Sequence, residues 1–147
     1  MYRTLLTLVV GAALGVGGMA VAGRGGPDKG KTKVTTLAER DIAEKLDGKE
    51  AAVTVVELTI EPGAGGQPHR HPGPVFGYVL EGEYELGLGD QPAKTLKAGE
   101  TFYEPTGGLH RVSRNPSTKT RTRVLAVLLH PRDVKQLTTP EPPTKKE

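Results

Sequence analysis

Three histidines pose the chemical question. His69 and His71 flank Arg70, and His110 follows the turn Pro105-Thr106-Gly107-Gly108-Leu109. Side chains alternate along a strand, so His69 and His71 are expected to project to the same side. Two imidazoles on one face, joined by a third from a distant strand, make a ready site for one divalent transition metal. Iron, manganese, nickel, copper and zinc all accept imidazole nitrogen, so the histidines nominate a class of ion and no single member. Taken alone, His-x-His would equally suit exposed polar residues beside Arg70, and His110 a surface position after a turn. The third histidine tips the balance towards ligation. Glu104 shares a strand face with Phe102 and leads through the same turn to His110. It is therefore a candidate catalytic residue: a general base, an acceptor for a histidine N–H, or a further ligand. A solvated rim position is the alternative. Gln67 is a weaker candidate near the mouth of the site, and His130, before Pro131, reads as an exposed strand end.

The elements that must carry these residues read as short strands. "AAVTVVELTI" places Val56, Leu58 and Ile60 on one face and Glu57 and Thr59 on the other. In "EYELGL", Tyr84, Leu86 and Leu88 face inward and Glu83 and Glu85 outward. Period two places His110, Val112 and Arg114 on one face and Arg111 and Ser113 on the other. "RTRVLAVLLH" is a final buried strand. In "VFGYVLE" both faces are apolar, which predicts cover on both sides, either from a second sheet and a helix or from another subunit. Residues 37–48, "LAERDIAEKLDG", form the one expected helix. Short strands with Gly/Pro turns about every 8–12 residues indicate an all-β sandwich or barrel.

Two spaced blocks carry a more specific signal. The first, "GAGGQPHRHPGPVFGYVLEG", holds Gly63, His69, His71 and Gly82; the second, "GETFYEPTGGLH", holds Gly99, Pro105, Gly107 and His110. Together they resemble the paired motifs of the cupin superfamily, small β-barrels that hold one metal. The motifs there read G-x5-H-x-H-x3/4-E-x6-G and G-x5-P-x-G-x2-H-x3-N. The chain departs from them twice. Val75 stands where the glutamate is expected, and Arg114 stands at the asparagine position, with Asn115 one residue late. A carboxylate at 75 would add a ligand and cancel one metal charge; valine leaves the ion its full charge and open positions for water, oxygen or a chelating substrate.

The resemblance implies an all-β, double-stranded β-helix (jelly-roll) barrel of the small quercetin-dioxygenase-like type. It also implies a metal held by His69, His71 and His110. The corresponding activity is a metal-dependent dioxygenase acting on a small oxygen-chelating substrate. A non-catalytic module that binds metal or a small ligand, and a non-oxidative sugar isomerase or lyase, are the alternatives, since the fold hosts many chemistries. Homodimers are common in the superfamily, and a homodimer is expected here.

Composition bounds the rest. The chain has 147 residues, no cysteine and a formal charge of +3, part of it from Arg3 in the leader. Without cysteine there is no disulfide, thiolate ligand or lipoprotein anchor. The charge is too small and too dispersed to argue for nucleic acid, and without tryptophan there are few platforms for base stacking. Residues 1–22 read as a signal peptide. Arg3 opens it, an apolar run follows, and Ala20-Val21-Ala22 precedes cleavage at Gly23, which predicts a periplasmic or secreted protein free of the membrane. Residues 23–33 read as a flexible linker, 34–137 as the cupin domain and 138–147 as a disordered, Pro-rich tail.

Overall fold

The structure is a computed structural model and describes residues 31–142; the expected signal peptide and most of the linker lie outside the described residues. The strands are β1 (Thr32–Leu46), β2 (Lys49–Ile60), β3 (His69–Arg70), β4 (Val75–Glu81), β5 (Glu83–Leu88), β6 (Lys94–Lys97), β7 (Thr101–Glu104), β8 (His110–Arg114), β9 (Thr122–Pro131) and β10 (Thr139–Pro140). They form two five-stranded sheets, ordered β1-β2-β9-β4-β7 and β10-β3-β8-β5-β6. The pairings are antiparallel, and the architecture is the expected all-β jelly roll.

The core lies between the sheets. Ile60, Val79 and Val124 from the first sheet meet Tyr84 and Leu86 from the second. Strand β9 buries Thr122, Val124, Ala126, Leu128 and His130 and turns the intervening residues outward. Each large apolar side chain so enclosed contributes roughly 1.5–3 kcal/mol. Gly77 faces the ring of Phe102 so closely that a Cβ there would fall 2.0 Å from it. The ring of Phe102 in turn stacks at a tilt on Tyr84, 5.4 Å between centroids.

Several expectations are corrected. Residues 37–48 are not a helix: β1 pairs with β2 from Thr32↔Ile60 to Leu46↔Lys49. Asp47 and Gly48, with φ of 50° and 76°, close the two strands as a two-residue hairpin. Positive φ at both central residues gives the primed turn whose twist matches the strands, and Asp-Gly is its sequence signal. Cross-strand pairing along the whole of β2 overrides the local helical preference. Lys33, placed in the linker by the sequence, is likewise in β1.

The tail is not disordered from residue 138, because Thr139 and Pro140 pair with Arg70 and His69 as β10. Of the two covers expected for β4, the helix is not there: Val75, Gly77 and Val79 are buried, while Phe76, Tyr78 and Leu80 are exposed with no helix over them among the described residues. His130 is not an exposed strand end; it is 4% exposed, and its Nε2 lies 2.9 Å from the Thr54 hydroxyl.

Candidate metal centre

The three histidines converge on one cavity. His69 on β3 is the cross-strand partner of His110 on β8, and His71 follows β3 directly. Gly107, with φ of 69°, shapes the turn that delivers His110. One ring nitrogen from each of His69, His71 and His110 lies within 4.8 Å of the others, a cluster that could hold a metal ion.

The facing of β8 differs from strict alternation. Leu86 pairs with Ser113 and Leu88 with His110, with a register shift between Gly87 and Leu88 that leaves Arg111 as an extra residue. This bulge turns both His110 and Ser113 inward, at 2% and 7% exposure, and breaks the expected shared face of His110, Val112 and Arg114. Asn115, one residue late against the motif, is still drawn inside: its Nδ2 donates to the carbonyls of Ile60 (3.1 Å) and Thr120 (2.8 Å). Arg114 points out to Glu85.

Hydrogen bonds fix the histidine tautomers. His69 Nδ1 lies 2.7 Å from the Gln67 carbonyl and His71 Nδ1 2.6 Å from the Leu137 carbonyl. A carbonyl can only accept, so each Nδ1 carries a proton, and a ring with that single proton presents a bare lone pair at Nε2. Those two Nε2 atoms face each other across 3.1 Å. Beside them, Glu104 Oε2 and His110 Nδ1 are buried without a hydrogen-bond partner. They lie 3.1 Å apart, and Glu104 Oε2 is also 3.7 Å from His71 Nε2. Converging lone pairs and a buried carboxylate oxygen are costly without a partner. A divalent cation would satisfy them together, so the donor set fits a metal on its chemistry.

Local electrostatics agree. Burial holds His69 below the ordinary imidazole value, helped by the neighbouring His110 and His71 and opposed by the Gln67 hydrogen bond and Glu104. His69 is thereby kept in the neutral form that ligation needs. Burial pushes the Tyr84 phenol well above its ordinary value, against the effect of its 2.8 Å hydrogen bond with the Ser113 hydroxyl. The Tyr84 hydroxyl also lies 3.4 Å from His110 Nε2.

The cluster opens on a cavity of about 360 Å³, walled largely by apolar side chains including Val56, Leu58, Phe102, Val124 and Leu128. Gln67 and Glu104 both line it, and among the described residues no lysine or arginine does. Tyr78 and Tyr103 lie away from the cavity and are 41% and 51% exposed.

Sequence reasoning missed the closing wall. Leu137, Thr138 and Pro140 line the cavity. Arg70 clamps this segment, donating to Glu141 through Nε (2.7 Å) and Nη2 (3.0 Å) and to the Gly107 carbonyl through Nη1 (2.8 Å). No local signal marks it, because the pairing crosses most of the chain. Tyr84 and Ser113 were also missed; the inward alternation of β5 was the available hint for Tyr84.

Fold and site define a small jelly-roll barrel with a histidine cluster in the wall of its cavity. Residues 56–128 match the family model of the Cupin domain, Cupin_2, and with the barrel they support the cupin superfamily. The chain is 32% identical over 104 residues to germin-like protein subfamily 2 member 4 of Arabidopsis thaliana, covering 67% of this chain and 47% of that protein. It thus spans about half the length of that curated relative. Two solved structures share the fold. One is a conserved protein with a double-stranded beta-helix domain from Klebsiella pneumoniae, with a TM-score of 0.58 at 21% identity, covering 78% of this chain and 90% of that one. The other is KdgF from Halomonas sp., with a TM-score of 0.51 at 24% identity, covering 69% and 81%.

Proposed function

We propose that this chain is an exported, metal-dependent cupin enzyme of the dioxygenase class, acting on a small molecule that binds the ion through its own oxygens. The observation that carries the reading is the pair of histidine lone pairs, at 3.1 Å, set beside the unpartnered Glu104 Oε2 and His110 Nδ1. His69, His71 and His110 would hold the ion. When bound, a divalent metal supplies Lewis acidity, polarising a coordinated oxygen and lowering the pKa of its proton. Glu104 stands where it can accept that proton. The carbonyls of Gln67 and Leu137 keep His69 and His71 in register, and the apolar walls exclude water. In dioxygenation both atoms of O₂ enter the substrate, so no separate reductant is required.

The cavity also bears on the substrate. Its size is within the usual range for a small ligand, about 300–1,000 Å³. Without a lining lysine or arginine, an anionic body has only the metal to neutralise it. The lining therefore favours a neutral, apolar-bodied molecule with adjacent oxygen donors over a small dianion.

Two further parts of the reading concern assembly and location. Phe76 and Tyr103 form an exposed aromatic pair, 5.2 Å between centroids, on β4 and the edge strand β7. Its continuity with the free sheet edge supports a second copy of the chain as the cover, giving the homodimer. The leader sequence supports export with cleavage before Gly23, which N-terminal sequencing of the exported protein checks.

Activity is tested by oxygen uptake with iron- and manganese-loaded protein, offered neutral vicinal diols and, for contrast, small dicarboxylates. Uptake with the neutral set, lost on chelation, is the expected result. Tight binding without oxygen consumption by any candidate would make the chain a binding module instead.

A further inference from the structure

We propose that Glu104 Oε2 is itself a ligand of the ion, delivered from the sheet opposite the histidine pair; this rests on the metal reading above. His69 and His110 belong to β3 and β8 of one sheet, whereas Glu104 ends β7 of the other. Its register partner is Val75 on β4, and both point into the barrel, at 3% and 2% exposure.

The case is a count of donors and acceptors. Glu104 Oε2 has no hydrogen-bond partner although it is buried. Its neighbour His71 Nε2, at 3.7 Å, cannot donate in the neutral ring, because the His71 proton is committed to the Leu137 carbonyl. The other neighbour, His110 Nδ1, lies at 3.1 Å and is also unpartnered. No lysine or arginine lines the cavity among the described residues to neutralise the carboxylate. A buried carboxylate oxygen needs a cation or a donor, and the nitrogen nearest to this one, His110 Nδ1 at 3.1 Å, makes no hydrogen bond to it.

A metal supplies what is missing to all of these atoms together. Donors bonded at about 2.0–2.2 Å to one ion lie roughly 3.0–3.5 Å from their neighbours. The successive separations here, 3.1 Å, 3.7 Å and 3.1 Å, are close to that spacing.

The consequence is chemical as well as geometric. Three neutral nitrogens and one anionic oxygen cancel part of the metal charge and favour harder ions such as Mn²⁺ and Fe²⁺ over copper. The ion also becomes a bridge between the two sheets. The register opens a direct test, because residues 75 and 104 face the cavity from paired positions on neighbouring strands. A carboxylate at either position reaches the same space.

The experiment titrates metal-free protein with Mn²⁺ by calorimetry and follows melting with and without the ion. It compares the native chain with Glu104→Gln, with His69→Ala, and with the double variant Glu104→Val/Val75→Glu. Glu104→Gln should lower Mn²⁺ affinity by about ten- to a hundredfold while the metal-free fold melts no lower. The double variant should recover most of that affinity, which a merely structural role for Glu104 could not produce. If Glu104→Gln binds Mn²⁺ like the native chain while His69→Ala does not, Glu104 is no ligand and the three-histidine site stands. If the native chain itself binds neither Mn²⁺, Fe²⁺ nor Zn²⁺, the metal reading falls and this proposal with it.

Discussion

The two sheets that wall the cavity are built to different plans. The first is built around one unbroken ladder: β2 and β9 pair without interruption from Ala51↔Pro131 to Ile60↔Thr122, and β4 continues the sheet beside them with one register shift. The second carries His69 on β3, a strand of two residues, with His71 just beyond it, and holds the two rings with carbonyls from a loop and from residue 137. Stability is concentrated in the ladder, while the site depends on short, local bonds. A barrel divided this way can lose or exchange ligands without unfolding, so departures such as Val75 can be tolerated. Glu104 stands at the boundary, because it belongs to the ladder sheet and faces the histidines.

The largest expected effect lies on the site side. Replacing His69 or His71 with alanine should cut metal affinity by more than about a hundredfold, beyond the loss usual for a residue that merely supports a ligand. The metal-free protein should melt nearly as before. Ile60→Ala is the converse probe. Ile60 is 1% exposed within the ladder sheet, and its truncation should cost about 2–5 kcal/mol by chemical denaturation. Affinity of the remaining folded protein for metal should not change. If the histidine variants unfold, or Ile60→Ala weakens metal binding, the two sheets are not separate in this way.

The division also explains what could be read from the chain. The jelly roll and the histidines were legible because their signals are local: alternating apolar positions, His-x-His, and a turn before His110. The hairpin at Asp47-Gly48 was equally local, but the helical look of residues 37–46 masked it. Three features were not legible, because each exists only in the pairing. The bulge at Arg111 turns Ser113 inward, β10 returns from a Pro-rich stretch to pair with β3, and Glu104 meets Val75 across a ladder. Glu104 could be nominated from its strand face; its place opposite the motif's missing carboxylate required the register.

Acid should act on the site sheet at intermediate strength. His69 is held below the ordinary imidazole value by burial, so the unfolded chain takes up that proton first as pH falls. The stability linked to it is complete above about pH 6.5 and drains away as pH drops towards the lower folded value. Bound metal acts in the same sense, because ligation requires the neutral ring. Melting of metal-free and metal-loaded protein should therefore fall between about pH 7 and pH 5, with the metal increment shrinking over that window. His69→Gln should flatten the metal-free slope; an unchanged slope would place the acid response elsewhere.

The smallest expected effect tests how finely the site depends on its local bonds. Arg70 and Glu141 form a paired contact at 2.7 Å and 3.0 Å, and the hydrogen bond from Arg70 holds the Glu141 carboxyl below the usual carboxylate range. Both side chains are partly exposed, so the pair adds little to global stability. Its position gives it another role. It anchors β10 and the approach to it, and that approach includes the Leu137 carbonyl that orients His71. Glu141→Gln keeps the size and one acceptor but removes the charge. Metal affinity should fall by less than about tenfold, with melting of the metal-free protein unchanged. The control is Arg114→Gln, which breaks the 2.6 Å pair with Glu85 in the same sheet, away from the β10 clamp, and should leave metal affinity alone. Equal losses in both variants would mean that surface charge, rather than the orientation of His71, sets the affinity. A loss confined to Glu141→Gln would trace the coupling through the β10 clamp to one imidazole.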